Sequence, residues 1–282
     1  MVKIITDTTA VLPKDFVVNH QIPVIPQIIN FEEESYYEGI DIDIPTFMQR
    51  LRSSEILPKT AAPPPELFVK EFKRLESSGE PILCIHPSSD VSGTVRSAII
   101  AAKDFPQLDI RVIDTRTIAS PVATLVKFAI EWTQQGLDIN AIENNLRKMI
   151  PNCKVYFLVA SLEYLIKGGR IGGASALIGN VLQIKPILCL NNGKVDVYGK
   201  ERTHKRAINR IIEITLDQLP SENTHTLSVM HADAYDQATK LAKELAQKLN
   251  TRDIPIYNMP PAIVTHGGPG ILGVAFFVGK IP

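Results

Sequence analysis

Residues 82–103 read as a strand, a hydroxyl-rich turn and a helix in direct succession. Ile82, Leu83, Cys84 and Ile85 form a short apolar run after Pro81, suited to a buried strand. The turn is His86-Pro87-Ser88-Ser89-Asp90-Val91-Ser92-Gly93-Thr94, and residues 96–103 are good helix material. The same order recurs along the first half of the chain. Residues 2–5 and 111–113 read as strands, ending in Thr6-Asp7-Thr8-Thr9 and at Asp114. Residues 45–53 and 66–77 read as helices, the second with Leu67, Phe68, Phe72 and Leu75 on one side. Residues 121–133 are apolar around most of a helix circumference and therefore expected to be buried, and Asp138 is placed to cap a helix carrying Ile142, Leu146, Met149 and Ile150. Alternation of this kind over residues 1–150 predicts an α/β domain of three layers, a mainly parallel sheet covered on both faces. Two segments break the rhythm. Pro23 and Pro26 interrupt the apolar run 22–31, and Thr60-Ala61-Ala62-Pro63-Pro64-Pro65 is expected to be stiff and extended, stopping helix and sheet alike.

The pattern changes near Pro151. Residues 155–159 read as a strand and 162–167 as a short helix ended by Gly168-Gly169. Residues 177–182 are expected to be helical, and 186–190 and 194–198 to form a hairpin about Asn191-Asn192-Gly193. Helices at 205–219 and 237–249 alternate with strands at 227–230, 254–257, 262–266 and 271–278, the last two enclosing Gly267-Gly268-Pro269-Gly270. A hairpin among these strands implies a mixed sheet, so residues 151–282 are expected to form a second domain of α+β type.

Charge and motifs exclude several classes. Thirty basic residues balance thirty acidic ones in 282, so no overall field draws the chain to nucleic acid or an anionic membrane. No stretch approaches the ~18 apolar residues of a membrane span. The start, Met1-Val2-Lys3-Ile4-Ile5, lacks the run of a signal peptide. Cys84, Cys153 and Cys189 are far apart in apolar runs and read as reduced core residues. A cytoplasmic location is the resulting expectation. The six histidines form no H-x-x-x-H pair, so no metal is expected. Phosphate-loop and G-x-S-x-G motifs are absent. Gly268-Pro269-Gly270-Ile271-Leu272-Gly273 has the letters of a dinucleotide fingerprint, but it precedes a strand rather than a helix, and no cofactor is expected.

Candidate ligand groups lie at the turns. The first turn of a helix has amides without intrahelical partners and a dipole favouring negative charge. A loop holding Ser88, Ser89, Ser92, Gly93 and Thr94 there suits an anionic oxygen, although Ser92 is equally placed to cap its own helix. The Thr6–Thr9 cluster is either a ligand-facing strand end or an Asx turn. Lys167-Gly168-Gly169-Arg170 puts cations at a helix C-terminus, and Lys200-Glu201-Arg202-Thr203-His204-Lys205-Arg206 is locally basic. His266 is followed directly by glycines that leave room for a ligand.

In order and spacing, these stretches resemble the DegV family of bacterial fatty-acid-binding proteins along essentially the whole chain. The matching segments are Ile5-Thr6-Asp7-Thr8-Thr9, Thr60 before the prolines, Ser92-Gly93-Thr94 with Ser97-Ala98, Val112-Ile113-Asp114, Leu162-Glu163-Tyr164-Leu165-Ile166-Lys167-Gly168-Gly169-Arg170-Ile171, Ile184-Lys185-Pro186-Ile187-Leu188, Arg202-Thr203 and His266-Gly267-Gly268-Pro269-Gly270. The resemblance implies a long-chain fatty acid held by residues 1–150, with residues 151–282 completing its pocket. It also implies a partner, an ATP-dependent fatty acid kinase that phosphorylates the bound carboxylate, so that the chain presents substrate and is not itself an enzyme. Carried over by position, Thr60 and Ser92 hold the carboxylate, Gly93 and Thr94 add helix N-terminal donors, and Arg170, Arg202 and His266 lie near the exposed head group. The chain departs from the family at Ala61-Ala62, where Ser-Gln is usual, and at Ala119, Pro121 and Ala123, near which a serine and two glycines are usual. Two other readings are a serine-type esterase using Ser92 and His266, and a binder of another small anionic metabolite.

Overall fold

The computed structural model describes residues 1–177 and 184–282. The chain divides into two units, residues 1–150 with Pro260–Ala262, and residues 151–259 with 263–282.

The first unit contains β1 (Lys3–Asp7), α1 (Lys14–Asn19), β2 (Val24–Ile25), β3 (Ile28–Phe31), β4 (Glu34–Tyr37), α2 (Ile44–Ser53), β5 (Lys59–Ala61), α3 (Pro65–Glu76), β6 (Ile82–His86), α4 (Thr94–Ala102), β7 (Ile110–Asp114), α5 (Ser120–Gln134) and α6 (Ile139–Met149). Its main sheet is parallel, in the order β2-β1-β6-β7. All five residues of β6 are buried, as a central parallel strand between helix layers requires. Phe68 and Phe72 of α3 pack with Ile5, Ile82, Cys84, Ala98 and Phe105 in one cluster. Ten of the fifteen residues of α5 are buried, which accounts for its apolar circumference. The Asp138 carboxylate accepts from the Ala141 amide at 2.8 Å and caps α6.

A small antiparallel sheet, β4-β3-β5, accompanies the main one. Here the expectation for the proline-rich segment needs correction. Thr60 is a strand residue paired with Ile29, and the prolines begin only after the strand ends. The broken apolar run 22–31 likewise supplies two strands, each lying just beyond one of its prolines.

The second unit contains β8 (Cys153–Leu158), α7 (Glu163–Lys167), β9 (Lys185–Asn191), β10 (Lys194–Glu201), α8 (His204–Gln218), β11 (Ser228–Ala232), α9 (Tyr235–Leu249), β12 (Ile256–Asn258), all but the first two residues of α10 (Pro261–Gly267), and β13 (Ile271–Phe277). Six strands form one mixed sheet, β10-β9-β8-β13-β11-β12. The β9–β10 hairpin turns on Asn192 and Gly193, both with positive φ (48° and 82°), as its sequence predicts. Ile211, Ile214, Leu241 and Leu245 of α8 and α9 pack with Val229, Leu272, Val274 and Phe276 of the sheet. The expected strand at 262–266 is instead the helix α10. Pro261 opens it, and a proline is well suited to a first turn, where its missing N–H leaves no hydrogen bond unmade. The helix expected at 177–182 falls mostly on residues outside those described; Leu177 ends a 3-10 turn.

Candidate functional site

The hydroxyl-rich turn is anchored at both ends. Ser88 N–H donates to the Thr117 carbonyl at 2.8 Å, and the Val91 and Ser92 amides return to the Ser88 carbonyl. Ser89 donates its amide and hydroxyl to the Asp114 carboxylate at the end of β7, and Arg116 bridges Asp90 and Asp114. The turn is thereby fixed over the ends of β6 and β7, where parallel sheets place ligand groups.

Its last residues meet the chain just beyond β5. A methyl on Gly93 would lie 3.2 Å from the Ala62 Cβ, so the residue that follows β5 packs directly on the start of α4. Gly93 occupies the N-cap position of α4 and has no side chain with which to cap it. Ser92 does not fill that role. Its Oγ accepts only a long bond, 3.3 Å, from the Thr94 amide. It stands 2.7 Å from the Thr94 hydroxyl. Of the two departures at Ala61 and Ala62, Ala62 is the one that faces Gly93.

Beneath Ser92 and Thr94 runs a buried polar network that sequence reasoning missed. Gln27 Nε2 donates to Thr94 Oγ1 at 2.9 Å and to Asp7 Oδ1 at 3.1 Å. Asp7 Oδ1 also accepts from the amide and hydroxyl of Thr9, and Asp7 Oδ2 lies 2.7 Å from His86 Nδ1. The Thr6–Thr9 cluster is thus an inward-facing turn whose acid is entirely buried. Nearby, Glu38 accepts from the Thr8 hydroxyl and from the Ala262 amide, and burial raises its pKa to about 7. The available signal for Gln27 was a lone amide inside an apolar run, between Pro26 and Ile28.

The second unit brings two further motifs together. A Cβ on Gly168 would lie 2.3 Å from His266 Nδ1, and a Cβ on Gly268 2.4 Å from the Tyr164 ring. The Leu162–Ile171 stretch and the glycine turn after His266 therefore interlock through glycines on each side. Arg170 donates to the Gly168 carbonyl at 2.7 Å. Arg170 is only partly exposed, against the expectation of a surface position, and burial lowers its pKa. Burial, reinforced by the charge of Arg170, lowers the His266 pKa to about 4, so this imidazole is neutral at pH 7. Arg202 is exposed between β10 and α8, and no hydrogen bond among the described residues joins it to that pair. Among the described residues there is no cluster of three or more metal-ligating side chains, and no helix is long and apolar enough to cross a membrane.

A family model described as "Uncharacterised protein, DegV family" matches residues 1–279. A DegV domain-containing protein of Halalkalibacterium halodurans is 32% identical over 280 residues, covering 99% of both chains. Two similar solved structures are described as fatty acid binding DegV family proteins. The one from Thermus thermophilus has a TM-score of 0.90 at 30% identity, with 99% of each chain covered. The one from Streptococcus agalactiae has a TM-score of 0.91 at 30% identity, again with 99% of each chain covered. The chain belongs to the DegV family.

Proposed function

We propose that this protein binds a long-chain fatty acid and presents its carboxylate to an ATP-dependent fatty acid kinase. The observation that carries the reading is the packing of Ala62, two residues after Thr60, on Gly93, beside a Ser92 hydroxyl at the start of α4. Similar proteins described as fatty acid binding give the ligand its class. In this assignment Thr60 and Ser92 hold the carboxylate, and the amides of Gly93 and Thr94 add donors where the helix dipole favours an anion. His266, with Arg170 and Arg202, serves the phosphate that arrives from the kinase. Arginine suits that task because its planar fork grips phosphate at two points. The chain itself supplies no chemistry.

Magnitudes divide the labour between tail and head. A tail of about 15 methylenes at ~0.8 kcal/mol each gives roughly 12 kcal/mol gross. Each hydrogen bond to the charged head adds about 1.5–3 kcal/mol, and immobilising the ligand offsets part of both. The tail sets affinity and the head sets direction.

The test is to extract and identify the ligand of protein purified from bacteria, then to compare hexadecanoic acid with hexadecanol on delipidated protein. A long-chain fatty acid is expected by mass spectrometry. Ser92→Ala and Thr60→Val are expected to weaken the acid by roughly tenfold or more and the alcohol far less, consistent with loss of a charge-assisted bond. Ligand-free protein or a bound polar metabolite, or equal losses for acid and alcohol, count against the reading.

A further inference from the structure

The direction of each hydrogen bond in the network under Ser92 is determined by its neighbours. Asp7 Oδ1 receives three groups, the Thr9 amide, the Thr9 hydroxyl and the Gln27 amide nitrogen. A backbone amide only donates, so this oxygen is an acceptor, and the Gln27 side chain must turn its NH2 end toward it. The second hydrogen of that NH2 then points at Thr94 Oγ1, 2.9 Å away. Thr94 is completely buried, and its hydroxyl, having accepted from Gln27, still holds a proton that needs an acceptor. Ser92 Oγ, at 2.7 Å, is in place to take it. Ser92 Oγ also receives the Thr94 amide at 3.3 Å. With both contacts on its lone pairs, the hydroxyl proton of Ser92 is left for a group outside the network, and the residue is partly exposed.

We propose that Gln27 is a positioning residue that, through Thr94, fixes the Ser92 hydroxyl as a donor and so makes the site select an anionic oxygen. The inference rests on the assignment of Ser92 to the carboxylate and adds what enforces its polarity. A serine with no such relay turns either its proton or its lone pair to a ligand, and favours an acid over an alcohol less strongly. The accepting Oδ1 of Asp7 sets the direction at the far end of the chain Asp7–Gln27–Thr94–Ser92, so the negative charge of the ligand is met by a donor.

The experiment measures the affinity ratio of hexadecanoic acid to hexadecanol on delipidated full-length protein. Gln27→Met keeps the length of the side chain and removes both of its donors. Thr94→Val keeps the shape of its side chain and removes the relay hydroxyl. Each is expected to lower the ratio about fivefold or more, within the span of one charge-assisted hydrogen bond. Thr94→Ser, which keeps a hydroxyl, is expected to recover most of what Thr94→Val loses. In a Ser92→Ala background, Gln27→Met is expected to change the ratio no further, because the two act through one hydroxyl. Equal losses of acid and alcohol in Gln27→Met and Thr94→Val, or an undiminished effect of Gln27→Met without Ser92, overturn the relay and leave the carboxylate assignment standing. A ratio untouched by Ser92→Ala overturns that assignment and the relay with it. If Gln27→Met does not fold, the Thr94→Val and Thr94→Ser pair decides the question: failure of serine to recover the ratio overturns the relay.

Discussion

His266 illustrates how a single residue is tuned by what a neighbour lacks. The imidazole sits where a side chain on Gly168 would have to be, next to the arginine that donates to the Gly168 carbonyl. With its pKa lowered to about 4, His266 is a neutral hydrogen-bonding ring, and under the proposed function it would meet the phosphate with the positive charge supplied by Arg170. Gly168→Ala is therefore expected to displace the ring without removing it. Under the proposed function, Gly168→Ala, His266→Ala and Arg170→Ala all retain fatty acid binding. All three are expected to cut acyl-phosphate formation with the kinase by about tenfold or more, roughly 1.4 kcal/mol. Normal phosphorylation in all three variants removes these residues from the phosphate side; loss of the fatty acid itself moves them into its pocket.

Among the elements, α5 begins from an unusual backbone. Ala119, fully buried, has φ 61° and ψ −133°, a conformation open to glycine and costly for an L side chain. That strain is worth up to about 3 kcal/mol. Glycine gives back roughly 1 kcal/mol in unfolded-chain entropy and ~0.8 kcal/mol for the lost methyl. Ala119→Gly is thus expected to stabilise the protein by up to about 1 kcal/mol, read as a rise of at most a few degrees in melting temperature. A fall would mean that the methyl packs better than this account allows. The sequence marks Ala119 as one of three departures near which the family usually has a serine and two glycines, yet the backbone it must adopt is not legible there. Elements with local signals were legible: the Asp138 cap, the Asn192-Gly193 turn and the apolar circumference of α5. The run Ile263-Val264-Thr265 favoured a strand through its β-branched residues, whereas Pro261 and tertiary context made it a helix. The candidate site divides similarly. Ser92, Thr60, Gly93 and His266 belong to recognisable motifs, but Gln27 and Glu38 acquire their importance from burial, which one sequence does not record.

For the molecule as a whole, Glu38 makes stability depend on pH. Its ordinary pKa is 4.5, and in the folded protein burial raises it to about 7. Between those values the folded chain keeps a proton that the unfolded chain releases, so stability falls as pH rises through the window. The difference amounts to about 3 kcal/mol at most. His266 works in the opposite sense, since its folded pKa is depressed and stability rises with pH from about 4 to 6.5. Comparing the protein with Glu38→Gln isolates the first effect. The variant is expected to gain relative stability steadily from pH 4.5 to 7.5 in denaturant titrations, and parallel curves would show that Glu38 ionises normally. The position of β13 has a consequence of a different kind. It is the last strand in chain order, yet it lies inside the six-stranded sheet, paired with β8 on one side and β11 on the other. During translation β8 emerges more than a hundred residues before the strand that covers its edge. At 5–20 residues per second, that is on the order of ten seconds in which an apolar strand edge stands open. The second unit thus leaves the ribosome with its sheet in two halves, and the newborn chain is most exposed to misassociation, and to chaperones, until Ile271–Phe277 arrives to join them.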